Sequence, residues 1–303
     1  MRQAGWPFVG TEALAAGRVT RRTLRSRHQM LYRNVYLPNG QELTPVTRAV
    51  AAWLWSGRAA TVAGVSAAAL HGSRWLDARL PAELNRTAPG SVDGIVIRRE
   101  QLRPDETCLI RGIPTTTVAR TAFDVGRRTG LVTAVIRLDA LGHATGLVPG
   151  EVAEVADRHG GARGITQLRQ AVSLMDGGAE SPQETRTRLL MIRSGLPPPV
   201  TQIVVRDDYG RPFARIDMGW PEYRVGVEFD GAQHWTDPRQ RTADIDRYAE
   251  LAARGWVIVR VSSGLLRDRP AVILERVQTA LRAAGWTGTK PNVELLYARR
   301  LRA

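Results

Sequence analysis

The sequence predicts a multi-domain α/β protein in three parts. At 303 residues the chain is longer than an ordinary domain of about 100 to 150 residues. Helical periodicity and strand-like alternation both recur along it, and the last third has the order αβββαβα, which predicts a mixed sheet. We expect the parts to span residues 1–44, 45–175 and 176–303.

Composition excludes several classes of protein. The chain is 43% hydrophobic and 24% charged, which is typical of globular proteins and not of disordered or fibrous ones. Apolar runs such as AVAAWLW at 49–55 fall short of the ~20 residues that cross a bilayer. The first 30 residues lack the apolar core of a secretory signal, so we expect a cytoplasmic protein without membrane association. Cys108 stands alone, which excludes an internal disulfide and multi-cysteine metal sites.

The net charge of +14 favours a polyanionic partner, most simply nucleic acid. The excess lies in residues 1–100, with 14 basic and 6 acidic residues, and in 181–303, with 20 and 14. Residues 101–180 carry 9 of each. An alternative is a compositional bias toward arginine, because Lys290 is the only lysine.

The first segment has the pattern of a winged helix-turn-helix. A helix over TEALAAG ends at Gly17, and Thr20 is placed to cap a second helix, TRRTLRSRH. A strand-like stretch, QMLYRNVYLPNG, follows with a turn at Asn39-Gly40. The same arginines can instead form the solvated face of a small packing module. The candidate DNA-binding residues are Arg18, Arg21, Arg22, Arg25, Arg27 and Arg33.

The second segment is expected to be mainly helical. Residues 45–75 predict two apolar helices, 92–98 a strand, and 116–142 one or two further helices. Arg120 and Asp124 stand four residues apart, which predicts a structural ion pair on the helix surface.

The order of the helix-turn-helix, GVSAAALHG and GIPTTTVARTAFD resembles the AbiEi type of antitoxin from abortive-infection systems. The resemblance covers about the first 145 residues. It implies a DNA-binding winged helix followed by a structural helical domain, with no catalysis in either. It leaves open whether a toxin or a restriction protein is a partner.

The stretch Asp176–Glu184 predicts the start of the third part. Its glycines form a joint, and Ser181, Pro182 and Glu184 fit the N-cap, N1 and N3 positions of a helix. Three strand patterns follow, QIVVRDD, FARIDMGW and YRVGVEFDG, of which the last two should pair around a turn centred on Pro221-Glu222 or one residue later. A helix over 239–254, the buried strand WVIVRVSS and a final helix complete a nuclease-like α/β core.

The predicted hairpin brings carboxylates together. Asp217 and Glu228 fall on one face, directly or diagonally opposed, where both can hold one hard cation such as Mg²⁺ or Mn²⁺. Asp230 projects to the same face. In a basic chain this acidic focus indicates metal-assisted phosphodiester hydrolysis. The alternative is an acidic strand end that pairs with Arg215 or Arg224.

The string from Glu228 to His234, EFDGAQH, together with Asp217 and the later ADIDRYAELAARGWVIVRV, resembles the restriction-endonuclease-like PD-(D/E)xK superfamily, near the very short patch repair nucleases. The resemblance covers about 180–282. It implies that Asp217 and Glu228 hold the metal. Supporting roles fall to three further residues: Glu184 beside the metal ligands, His234 acting on the attacking water, and Gln233 as its polar helper.

One departure from the superfamily pattern matters, and two of the implied roles have structural alternatives. Asp230 takes the place of the superfamily lysine, so no lysine serves the site. Glu184 can equally be only a helix cap, and His234 can simply bond a backbone carbonyl.

The leading expectation is a Mg²⁺- or Mn²⁺-dependent DNA endonuclease. The rival is a DNA-binding regulator or antitoxin with an inactive nuclease fold, and an RNA-processing enzyme is weaker because winged helices usually meet duplex DNA.

Overall fold

The computed structural model describes residues 5–88, 90, 92–230 and 238–288, with the side chains of 238–243 left out. The chain forms two compact units, Met1–Gly177 and Gly178–Ala303, here called the N-terminal and C-terminal units. Each contains both helices and sheet, so the protein is a multi-domain α/β protein. The division falls inside the glycine-containing stretch Asp176–Glu184, from which the last part was expected to begin.

The N-terminal unit begins with short helices and a small antiparallel sheet of order β1-β3-β2. Thr20 caps α2 as expected, since its hydroxyl accepts a hydrogen bond from the Thr23 amide at 3.1 Å and the Thr23 hydroxyl accepts one from the Thr20 amide at 2.8 Å. The elements are β1 (Phe8–Val9), α1 (Gly10–Ala15), α2 (Arg21–Arg27), β2 (His28–Tyr32) and β3 (Val35–Pro38).

The stretch expected to be one strand before a turn at Asn39-Gly40 is instead a hairpin that reverses at Arg33-Asn34. Asn34 has a φ of 62°, a left-handed conformation that asparagine tolerates better than most residues. Its side chain accepts from the Thr11 amide at 3.0 Å and donates to the Thr11 hydroxyl at 2.9 Å. The hairpin turn is therefore tied to the start of α1.

The segment expected to be mainly helical contains a five-stranded sheet of order β6-β5-β4-β8-β7. Its strands have only two to four residues each, too few for alternation to be recognised in the sequence. Tyr32 and Val35 pack in the same buried cluster as Ala49 and Val62, so residue 44 does not separate two cores. The elements are α3 (Pro45–Trp55), β4 (Thr61–Val62), α4 (Gly64–Leu70), β5 (Ala82–Asn85), β6 (Ile95–Arg98), β7 (Thr107–Ile110) and β8 (Ile113–Thr116).

Four helices complete the N-terminal unit, and a buried ionic cluster forms at the first of them. The Arg120 guanidinium is 1% exposed and reaches Glu106 at 2.5 Å, Glu100 at 2.8 Å and Asp124 at 3.3 Å. The Arg120–Asp124 pair thus exists, but the expectation of a surface position was wrong because distant acids enclose it. The helices are α5 (Val118–Arg128), α6 (Leu131–Thr145), α7 (Pro149–Arg158) and α8 (Ile165–Ser173).

No single helix in the described ranges is long and apolar enough to cross a membrane. Helices α6 and α7 meet that test only as a pair, and they are bent by 119° at the break between them.

The C-terminal unit has the predicted order αβββαβα, with one short extra helix before the last. Its sheet has the order β12-β11-β10-β9, and it is mixed because β11 and β12 are parallel while the other pairs are antiparallel. The elements are α9 (Pro182–Arg193), β9 (Val200–Arg206), β10 (Pro212–Trp220), β11 (Val225–Asp230), α10 (Pro238–Ala253), β12 (Val257–Ser262), α11 (Ser263–Asp268) and α12 (Pro270–Ala283).

Helices cover this sheet through two separate apolar clusters. Met191 of α9 and Leu274 of α12 pack with Met218 and Val227 of the sheet in one cluster. Leu251 and Tyr248 of α10 pack with Ile216 of β10 in the other. Helix α10 is thereby packed against the sheet at β10 and β12.

Candidate active site

The register of β10 and β11 places two carboxylates opposite each other. Met218 pairs with Val227 and Trp220 with Val225, so the turn lies at the later of the two expected positions. Continuing this register by one residue puts Asp217 directly opposite Glu228. The Asp217 Oδ2 accepts a hydrogen bond from the Phe229 amide at 2.7 Å. The side chain of Asp217 is thus held at the sheet itself.

Glu228 is 7% exposed and is held by two neighbours on α10. Arg247 donates to both of its oxygens, at 2.8 Å to Oε1 and 3.1 Å to Oε2. The Tyr248 hydroxyl also donates to Oε2, at 2.5 Å. Burial raises the pKa of Tyr248, and this hydrogen bond to Glu228 raises it further. A bidentate arginine and a short hydroxyl contact make Glu228 a well-ordered carboxylate.

The alternative partners that the sequence offered for these acids do not pair with Glu228. Arg215 forms a salt bridge with Glu180 at 2.7 Å. Arg224 donates to the backbone carbonyl of Arg254 at 3.1 Å. Arg247 and Tyr248 were missed from the sequence as partners of Glu228, because the pairing depends on how α10 lies against the sheet.

Burial and two nearby carboxylates raise the pKa of Asp217 to about 7. Burial is the largest cause; the charges of Glu184 and Glu228 add to it, while the Phe229 amide and Arg215 oppose it. A buried acid with acidic neighbours and a pKa near neutrality is typical of functional sites.

Glu184 acts as a helix cap and also contributes to the field at Asp217. Its side chain accepts from the Ser181 hydroxyl at 2.7 Å and from the Glu180 amide at 2.9 Å, at the start of α9. It is 8% exposed, and its charge raises the pKa of Asp217. The two roles that the sequence left open are therefore compatible.

Asp217 and Glu228 line a cavity of about 560 Å³ in the C-terminal unit. Asp230 forms a salt bridge with Arg260, the residue beside Glu228 in the parallel register. Asp244 lies 3.5 Å from Arg247. His234 and Gln233 lie outside the described residues. The charged side chains of the cavity wall are Asp217, Glu228, Asp230, Asp244, Arg215, Arg247 and Arg260.

The carboxylate oxygens of Asp217 and Glu228 suit a hard cation. Among described residues, no group of three or more histidine, cysteine, aspartate or glutamate side chains is arranged to hold a metal. Asp217 Oδ1, however, has no hydrogen-bond donor in the described ranges, and Glu228 Oε1 accepts only from Arg247 there, which leaves it a lone pair. Mg²⁺ usually takes one or two protein carboxylates and completes its shell with water and phosphate oxygens. The two acids fit that pattern.

The six candidate DNA-binding arginines are all exposed. In the described part of the chain none of their guanidinium groups forms an ion pair. Arg21, Arg22, Arg25 and Arg27 belong to α2, and Arg18 precedes it. Arg33 lies apart from them in the hairpin turn that is tied to α1. The structure therefore groups five of the six on one continuous segment.

The raised pKa of Asp217 predicts a pH dependence of stability. Between the unfolded value near 4 and the folded value near 7, the folded protein keeps a proton that the unfolded chain loses. We expect the free energy of unfolding of the metal-free protein to fall as pH rises through this window. Urea unfolding in chelator should show the fall in wild type, and Asp217→Asn should lack this contribution. Equal pH dependence in both proteins would contradict the assignment.

Comparison with known proteins finds two relatives in Mycobacterium tuberculosis strains, the uncharacterized proteins MT2308 and Rv2248. Each is 30% identical to this chain over 179 residues, which cover 59% of this chain. The chain spans 66% of the length of each relative, slightly under two thirds. No protein-family model matches the chain. No solved structure matches it significantly either.

Proposed function

We propose that the protein is a metal-dependent DNA endonuclease. The observation that carries this proposal is the opposed pair Asp217 and Glu228 in the wall of a cavity that also presents arginines. Carboxylates bind divalent cations and arginines bind phosphate, so the cavity has side chains for both the metal and the phosphodiester substrate. The order αβββαβα around a mixed four-stranded sheet supports a restriction-endonuclease-like fold for this unit.

Asp217 and Glu228 are the residues that would hold Mg²⁺ or Mn²⁺. When bound, the cation supplies charge stabilisation at the phosphate and a more acidic water. Asp217 suits this role because Glu184 and Glu228 lie near its carboxylate, so a bound cation would offset the repulsion among the three acids. Glu184 also adds to the negative potential that attracts the cation. The superfamily resemblance assigns His234 to the attacking water, with Gln233 as its polar helper. The place of the superfamily lysine is taken by Asp230, which pairs with Arg260.

We infer that the N-terminal unit binds the DNA. The exposed arginines of α2, the cap at Thr20 and the following β2–β3 hairpin support a winged helix-turn-helix, as does the resemblance to AbiEi antitoxins. This assignment separates binding from chemistry, since the arginines and the carboxylates belong to different units.

The arginines of α2 should control the salt dependence of DNA binding. The six candidate arginines, four of them in α2, could make up to six phosphate contacts, which predicts a log-log slope of up to about −5 against salt concentration. Replacing Arg21, Arg22 and Arg25 together by alanine should reduce the slope by about one unit for each arginine that binds a phosphate in the wild-type complex. Fluorescence anisotropy with a duplex at several salt concentrations measures this, and a triple variant of Arg163, Arg193 and Arg206 serves as a charge-matched control. An unchanged slope in the α2 variant would assign binding to another surface.

The decisive experiment for the function is incubation of the full-length protein with plasmid, nicked, mismatched and single-stranded DNA, with Mg²⁺, Mn²⁺ or chelator. We expect cleavage of at least one DNA form with either metal and none in chelator. A protein that binds DNA but cuts no form with either metal is not an endonuclease.

One observation favours a second function, that of a DNA-binding regulator or antitoxin with an inactive nuclease fold. Arg247 and Tyr248 already donate to Glu228, as they would in a purely structural ion pair. This candidate predicts specific binding to the protein's own promoter without cleavage, and a toxin or a restriction protein as partner. Cleavage in the preceding experiment would dismiss it.

A further inference from the structure

We propose that Arg247 is a displaceable counter-ion for Glu228 that couples metal binding to DNA binding. The inference rests on the proposed nuclease function and deepens it by assigning a positioning residue. In the free protein Arg247 neutralises Glu228. When DNA is present, the guanidinium of Arg247 pairs with a backbone phosphate instead. Glu228 then becomes available to the cation.

Competition for Glu228 follows from the contact geometry. Arg247 donates to both oxygens of a carboxylate that is only 7% exposed. A divalent cation at Oε1 would place its charge within a few ångströms of the guanidinium, and like charges at such a distance repel strongly in a partly buried site. Metal binding to the free protein therefore has to displace or weaken this ion pair.

The surroundings of Arg247 leave room for its guanidinium to move away from Glu228. Its side chain is 25% exposed, against 10% for the side chain of Glu228, and it lines the 560 Å³ cavity. It stacks on the Tyr248 ring with its Cζ 4.4 Å from the ring centre, and Asp244 lies 3.5 Å from it on the same helix. Rotation toward the cavity can therefore keep the stacking contact while exchanging Glu228 for another anion.

A DNA phosphate is the anion that best completes the exchange. Arginine binds phosphate in the same bidentate manner as carboxylate, so the guanidinium keeps its full set of hydrogen bonds. The phosphate also brings oxygen ligands for the cation. Because each ligand favours the state that the other needs, metal and DNA should strengthen each other's binding, reciprocally and by the same factor.

The test is Mn²⁺ titration calorimetry on the full chain, with and without a short duplex whose phosphorothioate linkages resist hydrolysis. In wild type we expect the duplex to tighten Mn²⁺ binding by about tenfold, a usual size for coupling between two ligands. Arg247→Ala should bind Mn²⁺ about tenfold more tightly than wild type when DNA is absent, since the competing charge is gone, and its gain from the duplex should shrink.

Two further variants make the result specific. Arg247→Gln removes the charge while keeping a hydrogen-bond donor, and should act in the same direction if Arg247→Ala folds poorly. Arg211→Ala is the matched control, because Arg211 also pairs with a carboxylate, Asp207 at 2.9 Å, and stacks on a tyrosine, Tyr209 at 5.0 Å, yet does not line the cavity. Its Mn²⁺ affinity should equal that of wild type.

The outcomes separate this inference from the proposed function. Unchanged or weaker Mn²⁺ binding in Arg247→Ala and Arg247→Gln without DNA, in proteins that still bind the metal, overturns the counter-ion role and leaves the nuclease assignment standing. A wild-type protein that binds no Mn²⁺ with or without the duplex overturns both.

Discussion

Replacing Arg120 by methionine should destabilise the N-terminal unit by about 3–5 kcal/mol, the usual result of removing one partner from a buried ionic cluster. Arg120 is among the largest fully buried side chains, and its neighbours Glu106 and Asp124, at 2.5 and 3.3 Å, are buried as well. Methionine fills much of the same volume but leaves both acids short of positive charge. The uncompensated acids, rather than a cavity, dominate the effect.

Other arginines do not fully replace Arg120. Arg127 and Arg128 already share Asp124 and Glu100, at distances from 2.5 to 3.2 Å. Among the described ion pairs, the other partner of Glu106 is His159, at 2.5 Å. We therefore expect Glu106 to take up a proton in the variant, and the loss of stability to be smaller at acidic pH.

Urea unfolding followed by circular dichroism measures this prediction, and Arg79→Ala is the control. Arg79 also forms an ion pair, with Asp77 at 2.9 Å, but its side chain is 91% exposed, so its removal should leave the midpoint where it is in wild type. If Arg120→Met and Arg79→Ala have the same midpoint, the buried cluster contributes little to stability.

The elements that could be predicted from the sequence are those with a strong local signal. The capped helix α2, the hairpin of β10 and β11, and the order of the C-terminal unit all follow from caps, turns and apolar runs several residues long. Strands β4 and β5 have two and four residues, so their pairing depends on tertiary packing rather than on pattern. The reversal at Arg33-Asn34 was missed because no glycine or proline marks it.

The candidate site shows the same division between local and distant information. The spacing of Asp217 and Glu228 about a short turn sufficed to place them opposite each other. The pairing of Glu228 with Arg247, 19 residues later, needs the position of α10 against the sheet, which no spacing rule supplies. The burial of Arg120 likewise depends on Glu100 and Glu106, which precede it by 20 and 14 residues.

Changing Asp217 to asparagine should reduce metal-dependent cleavage by on the order of 10³-fold. Loss of a metal ligand removes several kcal/mol of transition-state stabilisation, and each 1.4 kcal/mol corresponds to about tenfold in rate. Asparagine keeps an oxygen that can accept the Phe229 amide, now bonded at 2.7 Å, so the β10–β11 geometry should survive. Glu228→Gln is less suitable, because it also removes the partner of Arg247.

The variant distinguishes chemistry from DNA binding because only cleavage should be lost. Asp217→Asn removes a negative charge beside the phosphate, so DNA affinity should stay the same or rise while the heat of Mn²⁺ binding is lost. Asp208→Asn, at a side chain that is 87% exposed, makes the same change of charge outside the cavity and should cut DNA at the wild-type rate. Plasmid cleavage and calorimetry on the three proteins at pH 8 measure both effects. Wild-type cleavage by Asp217→Asn would mean that the reaction does not need Asp217 as a metal ligand, and would contradict the proposed site.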